Sequence, residues 1–109
     1  MIYKLLLPAQ WDSLRSAGTF AGSPDDLRDG FIHFSTAEQV KGTAAKHFAA
    51  VAELVLAEVD PALLAAALRW EPSRGGALFP HLYAPLPASA IARTWTIRDG
   101  KFPNDSPCR

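Results

Sequence analysis

The spacing of apolar and polar residues changes several times along this chain, and each change marks a predicted element. Ile2 to Leu7 is a β-branched, aromatic and leucine-rich run closed by Pro8, the pattern of a mostly buried strand. Trp11, Leu14 and Arg15 then recur at helical spacing ahead of Gly18, which predicts a short helix. Ser23 precedes Pro24, Asp25 and Asp26. This places a hydroxyl at an N-cap, proline at the first helical position and two carboxylates where the helix dipole favours them. That helix should run from Pro24 to Arg28 and stop at Gly30.

From Phe31 to Ser35 the period becomes two, so Phe31, His33 and Ser35 share one face and Ile32 and Phe34 the other. Ser35 with Glu38, and Thr36 with Gln39, both fit the capping-box spacing, which predicts a long helix through the alanine-rich run to Ala52. Val40, Ala44, His47, Phe48 and Val51 would form its inner stripe. Leu54 to Val59 reads as a strand, and Asp60-Pro61 as a cap and start for a helix over Ala62 to Ala67. Leu68 to Glu71 alternates again, with Leu68 and Trp70 opposite Arg69 and Glu71. Gly75-Gly76 marks a turn, Phe79 to Leu86 an extended piece, and Ile91 to Arg98 a last strand with Trp95 and Ile97 facing the core. This mixture predicts an α+β fold, a single domain over residues 1–102 with a largely antiparallel sheet, whole or split, and two or three helices. Residues 103–109 read as a flexible tail.

Composition narrows the partners. The chain has 109 residues, about half of them apolar, enough for one domain that buries roughly 60 to 65% of its unfolded surface. Eleven basic and eleven acidic side chains cancel, so nothing draws the chain as a whole onto nucleic acid or anionic lipid. Cys108 is the only cysteine, which suits a reducing, cytoplasmic setting without disulfides. The apolar opening has no basic lead-in, and the stretch around Ala44 to Val59 is interrupted by charges, so neither signal peptide nor membrane span is expected. A monomer or weak dimer is expected.

The candidate chemistry lies in three places. His33 and Ser35 share a strand face just before a helix start, where free backbone amides can hold an anionic group such as a phosphate. Phe79-Pro80-His81-Leu82-Tyr83 sends His81 and Tyr83 to the same side. Arg69 and Glu71 share a polar strand face that can orient a ligand or supply a carboxylate base. Each also admits a structural reading: Ser35 and Thr36 as caps, His33 as a hydrogen-bonded strand residue, Tyr83 as a cover for the core, Arg69 and Glu71 as a surface pair. His47 belongs to the helix edge, and Trp11, Trp70 and Trp95 phase with apolar neighbours as core residues. The spacing of His33, His47 and His81 gives no support for a metal, and none is expected.

These residues carry a family resemblance. The opening Ile2-Tyr3-Lys4, the run Asp29-Gly30-Phe31-Ile32-His33-Phe34-Ser35-Thr36 with Gln39, the strand Leu68-Arg69-Trp70-Glu71, and Leu78-Phe79-Pro80-His81-Leu82-Tyr83 followed by Pro85-Leu86 resemble the bacterial domain of unknown function 952. The resemblance spans residues 2 to about 95. That family looks like a minimal relative of the ADP-ribosyltransferase fold, closest in layout to RNA 2′-phosphotransferases, whose strand also reads apolar-His-apolar-Ser ahead of a helix. The resemblance implies that His33 and Ser35 contact the ribose and nicotinamide side of a dinucleotide such as NAD; Thr36, Tyr83 and Arg69 are further candidates to bind it. It implies that His81 takes the third position of the site, where many ADP-ribosyltransferases carry a glutamate, with Glu71 as a substitute carboxylate. The superfamily's first-strand histidine is matched here by Lys4, a residue type that can still donate a hydrogen bond to a ribose hydroxyl.

Three functions follow. The first is a nucleotide or NAD-type pocket around His33 and His81 used for ADP-ribosyl or glycosyl transfer. The second is a module that binds a small molecule without catalysis. The third is a structural or interaction domain, which predicts that His33 and His81 lie far apart or buried.

Overall fold

The computed structural model describes residues 1–108 and, at Arg74, the backbone alone. Three antiparallel sheets share one core. The first places β1 (Ile2–Leu6) and β8 (Ile91–Arg98) on either side of β4 (Glu53–Val59). The second places β6 (Leu78–Leu82) between β3 (Ile32–His33) and β5 (Leu68–Pro72). A short ribbon pairs β2 (Thr19–Phe20) with β7 (Leu86–Pro87). With helices α1 (Pro8–Ala17), α2 (Pro24–Asp29) and α3 (Val40–His47), the chain is a small α+β domain.

Strand β1 is apolar because its sheet is covered on both faces. Ile2 and Leu6 meet Val55, Ala57 and Val59 on one side, where Ile32, Phe34 and Leu82 of the second sheet close the cluster. Tyr3 and Leu5 meet Leu54, Leu56, Trp95 and Ile97 on the other, under Val40 and Ala44 of α3. Lys4 falls on the first face, opposite Ala57, and is only 7% exposed.

Local signals set α2 as expected. The Ser23 hydroxyl accepts from the Asp26 amide, the Asp26 carboxylate accepts from the Ser23 amide, Pro24 opens the helix, and Gly30 at φ 85° ends it. The predicted long helix from Ser35 to Ala52 is shortened at both ends. Ser35 is in a strand bridge: its amide and carbonyl both pair with Tyr3, so its backbone joins the two main sheets instead of starting a helix. The turn at Thr36 is closed by Gln39, whose side-chain oxygen accepts from the Thr36 amide at 3.0 Å. At the far end β4 must begin at Glu53, which leaves residues 48–52 as a turn. The stripe therefore ends early: Phe48 and Val51 are partly buried, while His47 is exposed.

The helix predicted over Ala62 to Ala67 is instead two 3-10 turns, because Ala65 sits at φ 52°, outside the helical region. Asp60 caps the first of them as read from the sequence. Among the tryptophans, Trp95 is buried and Trp11 partly buried, but Trp70 is 48% exposed on edge strand β5. Beyond Pro103 the chain turns back, and Cys108 is buried in the cluster of Tyr3 and Trp95. Arg109 lies outside the described residues.

Candidate functional site

Antiparallel register brings the two histidine strands side by side. His33 of β3 lies directly opposite His81 of β6, and Arg69 of β5 lies opposite His81 on its other side. Phe31 covers the pair, with its ring stacked on His81 at 4.0 Å and 4.6 Å from His33. The two imidazole centres are 5.7 Å apart. Both rings line a cavity of about 300 Å³ between β1, β3, α2 and α3, with Lys4, Ser35, Asp26 and Thr43 in its walls.

Carboxylates hold each ring. His33 Nδ1 meets Asp26 Oδ1 at 2.6 Å and its Nε2 meets Asp29 Oδ2 at 2.9 Å. A carboxylate only accepts, so this clamp is satisfied when both nitrogens carry hydrogen. His81 is 4% exposed, and its Nδ1 meets Glu71 Oε1 at 2.8 Å. The Tyr83 hydroxyl donates to the same oxygen at 2.7 Å. Those two hydrogen bonds, Tyr83 first, hold the Glu71 carboxyl below its ordinary range, and the hydrogen bond to Glu71 raises the Tyr83 hydroxyl.

Asp26 is the hub on the α2 side. Only 2% exposed, it also receives the Lys4 ammonium at 3.2 and 3.0 Å, the His33 amide at 3.1 Å and the Ser23 amide at 2.8 Å. Burial alone would raise its proton affinity. The His33 hydrogen bond, the Lys4 charge and the backbone amides outweigh it and hold the carboxyl well below the usual range. Lys4 also donates to the His33 carbonyl at 2.9 Å, so its ammonium ties β1 to β3 and α2.

Of the residues read from the sequence, His33, His81, Ser35 and Lys4 line the cavity. Ser35 Oγ is 2.9 Å from Thr43 Oγ1. Glu71 and Tyr83 stand behind His81, and the Arg69 guanidinium lies over the Tyr83 ring at 4.9 Å. Thr36 contributes to the Gln39 turn. Asp26 was legible only as a helix-start carboxylate, and Asp29 only as the first residue of the run that carries the family resemblance. The overlooked signal was Lys4 itself, a lone charge in an otherwise apolar strand, which demands a buried partner. No group of three His, Cys, Asp or Glu side chains arranged to hold a metal occurs among the described residues. None of the described helices is long and apolar enough to cross a membrane.

The fold and cavity define a class: a small antiparallel α+β domain with two carboxylate-held histidines at one opening. The chain belongs to the DUF952 family of proteins of unknown function, whose profile matches residues 5–94. It is similar to protein CC0527 from Caulobacter crescentus. The crystal structure of CC0527 is 52% identical over 87% of this chain and 83% of that one, with a TM-score of 0.84. Its solution NMR structure is 52% identical over 86% and 81%, with a TM-score of 0.77. No curated protein matches the chain.

Proposed function

We propose that this domain binds a small nucleotide or NAD-type ligand in the cavity around His33 and His81. The observation that carries the reading is the convergence of two imidazoles, aligned by strand register, on one cavity beside the Ser35 and Thr43 hydroxyls. A volume of about 300 Å³ is at the small end for ligand sites, enough for a nucleoside or the nicotinamide-ribose half of NAD. The remaining phosphates would lie outside, near Arg28 and Lys46, which also line the opening. The apolar-His-apolar-Ser strand ahead of a helix agrees with the ADP-ribosyltransferase-like layout and makes ADP-ribosyl or glycosyl transfer the chemistry to test.

A second reading, binding without transfer, is favoured by one feature. Each described carboxylate at the cavity is already paired: Asp25 with Arg28, Asp26 with Lys4 and His33, Asp29 with His33 and Arg28. None is left to stabilise an oxocarbenium-like centre. Titration calorimetry with NAD, ADP-ribose and nicotinamide, run beside a chromatographic assay for released nicotinamide, separates the readings. Binding with a dissociation constant on the order of 1 mM or tighter, abolished by His81→Ala, supports the site. Nicotinamide release adds transfer, and failure of all three compounds to bind sinks the nucleotide reading.

A further inference from the structure

His33 and His81 look alike in the sequence, but their surroundings make them chemically different. Both nitrogens of His33 face carboxylate oxygens, so the ring has no nitrogen to offer a ligand. Among the described residues, His81 pairs through Nδ1. Its Nδ1 points at Glu71, an acceptor whose oxygen also receives the Tyr83 hydroxyl, so the proton of this bond belongs to Nδ1. In the tautomer with hydrogen on Nδ1 the lone pair is on Nε2, on the edge away from Glu71, and that ring lines the cavity with its side chain only 5% exposed. This is the arrangement by which a carboxylate fixes the tautomer and aim of a working imidazole.

We infer that His81 Nε2 is the hydrogen-bond acceptor of the cavity, that Glu71 and Tyr83 are positioning residues acting through it, and that it receives a hydroxyl group of the ligand. On the nucleotide reading above, on which only this last step rests, that group is a ribose hydroxyl. Glu71 therefore serves as the support of the ring and not as a carboxylate that touches the ligand, and His33 serves as the tie between α2 and β3.

The first test needs no ligand. Long-range proton–nitrogen NMR correlation on the free protein at neutral pH, with His81 assigned by comparison with His81→Asn, reports which ring nitrogen bears hydrogen. A protonated Nδ1 and a bare Nε2 are expected. Glu71→Ala should release the ring to the opposite tautomer or a mixture, and Glu71→Gln, which keeps an acceptor oxygen, should restore the wild-type pattern at least in part. Glu71 is on an edge strand with its side chain 34% exposed, so both variants should fold. A wild-type His81 with hydrogen on Nε2, or a pattern unchanged in Glu71→Ala, overturns the inference.

The second test adds ADP-ribose to the same sample. The Nε2 resonance should move on binding, and Glu71→Ala should weaken binding about tenfold, the worth of one hydrogen bond. Binding that leaves Nε2 unmoved overturns the ligand contact. If ADP-ribose does not bind while the free-protein tautomer is as expected, the nucleotide reading fails and the Glu71–His81 assignment stands.

Discussion

Removing the Asp26 carboxylate should cost this domain a large share of its stability. Asp26→Ala deletes the acceptor for Lys4, the His33 ring and two backbone amides in a site 2% exposed. Breaking a buried ion pair by removing one partner costs about 3 to 5 kcal/mol, because the surviving charge stays buried and uncompensated. Here Lys4 would keep only the His33 carbonyl. Loss of half the α2 capping box adds about 1 kcal/mol. Against a total of about 5 to 15 kcal/mol, the variant is at or near the edge of folding. Lys4→Met removes the cation and leaves Asp26 its other donors, so the double variant Lys4→Met/Asp26→Ala should recover much of the loss, a coupling on the order of 2 to 3 kcal/mol. Urea unfolding followed by tryptophan fluorescence measures all three. A single Asp26 variant within about 1 kcal/mol of wild type, or a double variant equal to the sum of the singles, would refute the reasoning. The pH dependence gives an independent check. Because the folded carboxyl is depressed, its contribution is complete above the unfolded value of about 3.9 and is lost as pH falls from there through the folded value. Asp26→Asn should remove that slope.

Two further outcomes follow from buried contacts. A Cβ at Gly22, where φ is +129°, would stand 2.8 Å from the Asp26 Cβ, so Gly22→Ala should destabilise by roughly 2 kcal/mol or more in the same unfolding assay, and an unchanged midpoint would contradict it. Burial pushes the Cys108 thiol up to about 11, so iodoacetamide should label it far more slowly than a free thiol at neutral pH, with labelling accelerated by denaturant; a rate equal to that of the free thiol would contradict the packed C-terminal segment.

The sequence made the nearest-neighbour features legible. The Ser23 cap, the Pro24 start, the Gly30 stop and the alternation of faces from Phe31 to Phe34 all follow from signals within a few residues and are present, although the strand itself is only Ile32–His33. The readings that differ have competing long-range contacts. Ser35 has the spacing of a cap, but pairing with Tyr3 recruits its backbone. Trp70 phases with Leu68, yet its strand is at a sheet edge with no layer over that position, so the indole is left half in solvent. Lys4 was visible in its strand, and its partner Asp26 was not, because nothing in a chain separation of 22 residues announces a contact.

The pair of histidine strands shows where the division lies. By itself the sequence determined that His33 and His81 project with polar neighbours from alternating strands, since side-chain alternation is a property of any extended backbone. Only the tertiary structure decided that the two strands are paired in the register that sets His33 opposite His81, that α2 brings Asp26 and Asp29 to one ring, and that β5 brings Glu71 to the other. Register is chosen by how the whole apolar set packs, because a slip of one residue would turn Ile32 and Leu82 out of the core. That global choice makes His33 a structural clamp and leaves His81 facing the cavity.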